Sequence, residues 1–185
     1  MNCWQGTTVR LRAIIAEDWS QFHLNDQDTE SARTSDAIYF PRSGPAARQW
    51  AEETAAKGAT GDSIMLAIED AAGELVGSIN AHSCDSRHGT FKYGVAIFRV
   101  HWRKGYAFEA ILLLLRYYFH ELRYEKAVAS VYSFNEGSIR LQERLGFTLE
   151  GRLRSMIFTQ GERHDELLYG LLRSEFDARH STLNG

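Results

Sequence analysis

Proline and cysteine are scarce in this 185-residue chain, and charge of one sign never accumulates. The two cysteines, Cys3 and Cys84, lie far apart and show no metal-ligand spacing, so a reduced, cytoplasmic protein is expected. The two prolines and the short glycine clusters leave no room for a low-complexity linker, and no internal repeat is visible. Twenty-one basic residues face 24 acidic ones, a net charge of −3. That lacks the basic footprint of a nucleic-acid binder. The longest apolar stretch, Ala107 to Phe119, is too short for a bilayer and contains Glu109 and Arg116. No charged start followed by an apolar segment opens the chain, so neither a signal peptide nor a membrane partner is expected. What remains, 44% apolar and 24% charged residues, is the composition of one ordinary globular domain.

Strands and helices alternate along the chain. "TTVRLRAI" (7–14) reads as a first strand, and Asp18 offers a cap to a short helix from Trp19 to Asp26. Residues 27 to 44 carry no clear period and read as a mobile loop. Pro45 suits the first turn of a helix that Gly58 stops. "SIMLAIE" and "ELVGSINAH" form a hairpin around "DAAG", and "TFKYGVAIF" is the next strand. The helix from about Lys104 to Leu122 is apolar except for a stripe of Glu109, Arg116, His120 and Arg123, as in a helix buried on a sheet. Beyond the strand "KAVASVYSF", Asn135 caps a helix that Gly146 closes. "FTLEGRLRSMIFT" and "RHDELLYGLL", joined by "QG", make a final hairpin. This order predicts an α/β domain with a mixed, mostly antiparallel sheet covered by helices on both faces.

One junction stands out chemically. "RVHWRKGYAFEA" puts Arg103, Lys104 and Gly105 where a strand hands over to a helix. A helix start offers unsatisfied N–H groups and partial positive charge, and glycine lets a phosphate approach the backbone. Taken alone, such a turn reads first as a solvated surface. A Rossmann-type nucleotide site is disfavoured, because the glycine signature is incomplete and follows an antiparallel meander.

"WRKGYAFEA" followed by "NEGSIRLQERLGF" resembles the Gcn5-related N-acetyltransferase (GNAT) superfamily, in the branch of ribosomal-protein and spermidine acetyltransferases. The resemblance runs from residue 7 to 175, leaving 176–185 as a C-terminal tail. It implies a sheet with a splayed central strand pair and acetyl-CoA as co-substrate. The acetyl group would pass by direct attack to a primary amine, on a small molecule or a protein N-terminus. Ile97 and Arg99 would pair with the pantetheine arm through their backbone. The turn comprising Arg103, Lys104, Gly105, Tyr106 and Ala107 would hold the pyrophosphate. Trp102 stands where the family usually has Arg or Gln, and Asn135 would contact the cofactor arm. Relatives often protonate the departing thiolate with a tyrosine seven residues after the Asn; Gln142 stands there, leaving Ser138 as the candidate acid.

The general base stays open. Lys92 occupies a place where relatives often carry a carboxylate. His82, Asp85, His88 and Asp165 are alternatives, each also readable as a solvated or turn-capping residue. "HSCDSRH" has looser spacing than zinc sites show and reads as a loop. His101 could meet phosphate or simply be solvated, and Tyr117 and Tyr118 read as core. A binding or sensory module of the same fold is the competing function, and a homodimer is left open. Acceptor selectivity is expected from residues 27–60 and the last hairpin, with an α-amine or other amine of modest pKa ranked above a polyamine.

Overall fold

The computed structural model describes residues 2–35 and 38–180. Seven strands are hydrogen-bonded in the order β1-β2-β3-β4-β5-β7-β6. The chain divides into two compact units, Met1–His82 with Val95–Leu114, and Ser83–Gly94 with Leu115–Gly185. Among the described residues, no helix is long and apolar enough to cross a membrane.

In the first unit, β1 (Val9–Ala13) alternates buried Val9 and Leu11 with Arg10 and Arg12, the period-two pattern of a half-covered strand. It pairs antiparallel with β2 (Ile64–Asp70), which returns through a tight turn into β3 (Leu75–Asp85). Asp70 builds that turn: its Oδ1 accepts the amides of Ala72 and Glu74 at 2.9 and 3.0 Å. The helices α1 (Trp19–Asp26), α2 (Thr29–Ser35) and α3 (Gly44–Lys57) follow β1. Phe22 of α1 meets Trp50 of α3 and Phe98 edge-on, at ring distances of 5.1 and 5.8 Å. Ile14, Ala67 and Leu75 complete that cluster.

Two local expectations change here. Asp18 does not cap α1. It closes a short 3₁₀ turn, accepting the Ile15 amide, and its buried carboxylate receives both terminal nitrogens of Arg12 at 2.8 Å. A fork-to-fork ion pair outcompetes the cap, and this pairing raises the Arg12 pKa despite partial burial. Nor are residues 27 to 44 a loop throughout. Thr29–Ser35 are helical, started by Asp28, whose Oδ1 accepts the Ser31 amide. "TESARTS" has no apolar stripe to betray it. Residues 36 and 37 of that expected loop lie outside the described residues.

In the second unit, β5 (Lys126–Tyr132) pairs antiparallel with β7 (Glu162–Leu172), which pairs with β6 (Thr148–Thr159). Gln160 and Gly161 turn the last hairpin with φ of +52° and +80°. Phe91 stacks on Tyr118 at 4.4 Å and meets Tyr124 and Phe119 edge-on. The expected core role of Tyr118 is therefore met, while Tyr117 is half-buried. Residues 173–180 form α6 (Arg173–His180), with Phe176 buried on Phe119. The helix crosses the expected start of the tail at 176, because Phe176 has a place in the core.

β4 (Thr90–Ile97) and α4 (Tyr106–His120) run through both units. β4 pairs parallel with β5 over only three registers, Thr90–Lys92 against Lys126–Val128. At its other end β4 presses against β3. A Cβ added to Gly77 would lie inside the contact shell of the Ala96 carbonyl oxygen and 3.0 Å from the Ile97 Cα. Only glycine permits that approach. Gly77→Ala is expected to destabilise the fold by about 1–3 kcal/mol through overpacking against backbone. A denaturant titration of the variant with an unchanged midpoint would show that β4 yields freely.

Candidate active site

The strand-to-helix junction is built as follows. β4 ends at Ile97, Arg99–His101 make a 3₁₀ turn, and α4 begins at Tyr106. Between them Arg103 (φ +63°) and Gly105 (φ +84°) adopt left-handed backbone conformations. No atom lies within 4 Å of a Cβ added to Gly105, so the backbone there faces open space that a ligand can enter. The first intrahelical bond runs from the Glu109 amide to the Gly105 carbonyl, and the amides of Gly105, Tyr106 and Ala107 precede it. These amides and the helix dipole fit an anion.

The side chains sort differently from the expectation. The Lys104 ammonium lies 3.3 Å from His101 Nδ1 and over the Tyr106 ring. His101 is buried rather than solvated, with Nε2 3.4 Å from Glu74. The Tyr106 hydroxyl donates to Asp70 at 3.4 Å. Amides of Glu74 and Ala72 hold the Asp70 carboxyl below its usual pKa, and burial and the Asp70 charge raise the Tyr106 phenol. Arg103 and Lys104 are both exposed cations of the turn. Arg99 is beyond the strand: its carbonyl accepts the Trp102 amide, and its guanidinium pairs with Asp28 at 2.6 Å and Glu30 at 3.1 Å.

Glu109 holds the start of α4 in place. Its carboxylate accepts the amides of Thr7, Thr8 and Val9 at 2.6, 2.7 and 2.9 Å, and the Thr8 hydroxyl as well. Read from sequence as one member of a polar stripe, it is the tie between the phosphate-turn helix and the lead into β1. An acidic residue in a helix's first turn was the available signal.

The second unit carries the other candidates. Asn135 caps α5 (Glu136–Leu145), its Oδ1 accepting the Ser138 amide at 3.0 Å. The Ser138 backbone, not its hydroxyl, joins this cap, and the side chain is half-buried. Gln142, one turn further, is buried and accepts a 2.5 Å bond from the hydroxyl of Tyr93 on β4. Burial drives the Tyr93 phenol far above its ordinary pKa, so it stays protonated. No sequence signal singled out Tyr93, since buried strand aromatics are common.

The two carboxylate candidates for the base are already engaged. The Asp165 carboxylate binds the Arg152 guanidinium at 3.0 Å and the Ser155 amide at 2.9 Å, closing an irregularity in β6. Asp85 accepts the His88 amide in a turn. Lys92, His82 and His88 are exposed. Among the described residues, no three His, Cys, Asp or Glu side chains are grouped to hold a metal.

Residues 8–148 match the model of the acetyltransferase (GNAT) domain family. The chain belongs to the GNAT acetyltransferases. Its co-substrate is accordingly acetyl-CoA, and its activity N-acetyl transfer. A relative of nearly equal length is the uncharacterized, SPbeta prophage-derived N-acetyltransferase YokL of Bacillus subtilis strain 168. It is 42% identical over 177 residues, 96% of this chain and 97% of that one. The GNAT-family acetyltransferase of Bacillus anthracis shares the fold with a TM-score of 0.76, at 23% identity over 92% of this chain and 98% of its own. So does the spermidine N-acetyltransferase of Vibrio cholerae, solved with CoA and spermine (TM-score 0.78, 23% identity, 91% and 97% covered). The mixed, mostly antiparallel sheet expected from the sequence is the sheet of this family.

The Glu109 tie has a pH signature. Burial alone would raise its pKa, but the Thr8 hydroxyl and three amides outweigh burial and hold it below the usual value. Such a carboxylate adds stability above its unfolded pKa of about 4.3, and loses it as pH falls through the lower folded value. Glu109→Gln should therefore cost about 1–3 kcal/mol at pH 7. The gap to wild type should narrow as the pH falls below about 4. Thermal melts at pH 7 and pH 3 showing a constant gap would contradict this role.

Proposed function

We propose that the protein transfers acetyl from acetyl-CoA directly to an acceptor amine held with it in a ternary complex, without an acyl-enzyme. The observation that carries this reading is the open turn of Arg103 and Gly105 at the start of α4, inside the family-matched region. In it, the amides from Arg103 to Ala107 receive the pyrophosphate, with Arg103 supplying the cation. Lys104, beside His101, adds a second exposed positive charge to the turn. The arm runs along the end of β4, at Ile97; Asn135, at the cap of α5 in the second unit, is the further contact that the family resemblance implies.

As the amine nitrogen bonds the acetyl carbon, the C–S bond breaks and the thiolate takes a proton. Ser138 supplies it. Gln142 has no acidic proton, and its side-chain oxygen is committed to Tyr93. The surplus proton of the amine leaves to water, which suffices for an α-amine with a pKa near ~8 but not for a lysine-like amine near ~10.4.

Acceptor choice follows from charge. Three acidic residues of the 27–60 region and its approach are matched by arginines, Asp26 by Arg42, and Asp28 and Glu30 by Arg99. In the last hairpin Asp165 is matched by Arg152. A polycation would have to displace them, so a peptide α-amine or a small amino compound is the acceptor in this reading. The catalytic domain is taken to span residues 7–175 in a cytoplasmic protein, with a homodimer compatible.

Two measurements test this. Thiol release with an amine panel should show α-amines above spermidine, with kcat/KM rising as the acceptor's own amine deprotonates. Spermidine turnover without α-amine turnover would overturn the acceptor class. Gly105→Val should weaken CoA binding by calorimetry without unfolding the protein. Ser138→Ala should lower kcat by about 10²–10⁴-fold with little change in CoA affinity. Full kcat in Ser138→Ala would remove the acid from Ser138.

A further inference from the structure

Trp102 stands at the position where the family's usual Arg or Gln would reach toward phosphate, and it does something else. Its indole Nε1–H donates to the Ile97 carbonyl at 2.7 Å. Its own amide donates to the Arg99 carbonyl at 3.1 Å, closing the 3₁₀ turn between strand and cradle. The side chain thus folds back over five residues and fastens the last carbonyl of β4 to the residue preceding Arg103. The residue remains 41% exposed.

A strand's terminal carbonyl needs a partner, and an unanchored strand end frays. The neighbouring turn is also conformationally demanding, since Arg103 holds a left-handed conformation that non-glycine residues disfavour. One hydrogen bond constrains both ends of this link at once. The Ile97 oxygen keeps a second lone pair, so the bond need not exclude a ligand from the strand end.

We propose that Trp102 is a positioning residue for acetyl-CoA. By bonding Ile97, it fixes the strand end that takes the pantetheine arm relative to the turn that takes the pyrophosphate. The benefit goes to a ligand long enough to touch both. This rests on the reading of strand end and turn given under the proposed function. Pre-organising two subsites lowers the ordering cost of a ligand that spans them and does little for one that fills a single subsite.

The test uses calorimetry with two probes, CoA, which spans both subsites, and ADP, which carries a pyrophosphate without the arm. Wild-type protein that fails to bind CoA would sink the functional reading itself, independently of Trp102. Given wild-type binding, Trp102→Phe keeps an aromatic ring but loses the donor. It should raise the Kd for CoA roughly three- to tenfold, the worth of one neutral hydrogen bond. ADP affinity should change less than twofold. In turnover, the KM for acetyl-CoA should rise in parallel, with kcat within about twofold. Unchanged CoA affinity, or an equal loss for CoA and ADP, would overturn the proposal. If Trp102→Phe does not fold, Trp102→Gln restores a donor of similar reach. An ADP affinity of this variant within about twofold of wild type shows that it acts through Ile97 and not on phosphate; tighter ADP binding would overturn that reading. The Gln variant should bind CoA within about threefold of wild type, and a loss beyond tenfold would overturn the proposal.

Discussion

The backbone of β4 comes so close to β3 at Gly77 that the Ala96 carbonyl occupies the space of a side chain. The strand end and the turn that follow depend on this approach. A strand that shares only three registers with β5 needs its course set from its other neighbour. The Phe98 amide then donates to the Val76 carbonyl, and Phe98 enters the ring cluster of Phe22 and Trp50. The chain leaves the sheet at a defined point, and the turn that follows inherits that position.

The helix after the turn is fixed by a second device of a different kind. Hydrophobic burial holds α4 through Ile111, Leu114 and Leu115, but apolar contact alone has little directional preference. The Glu109 carboxylate, receiving three successive amides and a hydroxyl, sets rotation and height of the helix start. It also turns its negative charge toward the lead into β1. A carboxylate so engaged leaves the helix N-terminus electropositive, as an anion site requires.

Charges elsewhere are paired in the same spirit. Arg12 bridges the buried carboxylates of Asp18 and Glu69, and Arg10 also reaches Glu69. Arg99 draws in Asp28 and Glu30, and Arg152 holds Asp165. These pairs neutralise charge locally, within each group of side chains. The buried pairs have a desolvation cost that only good geometry offsets, and the bidentate Arg12–Asp18 pair supplies it.

Much of this architecture was legible in residue order. Alternation marked β1 and the hairpins, Asn135 and Gly146 bounded α5, and Gln160–Gly161 marked the last turn. These signals are local, set by backbone sterics and capping within a few residues. The glycine-bearing turn ahead of an apolar helix, paired with the Asn135 block, also sufficed to indicate the family. Partnerships across long separations were not legible: Glu109 with residues 7–9, Tyr93 with Gln142, Arg99 with Asp28 and Ala96 against Gly77. The same Asp or Arg can cap, pair or stay solvated, and its sequence neighbours do not decide which. Asp18 and Asp165 were reassigned for that reason, and the contact of Lys104 with His101 was not foreseen. Local chemistry therefore determined the elements and the family, while the tertiary structure decided where each charge went, because a charge settles on whichever partner the fold brings within hydrogen-bonding distance.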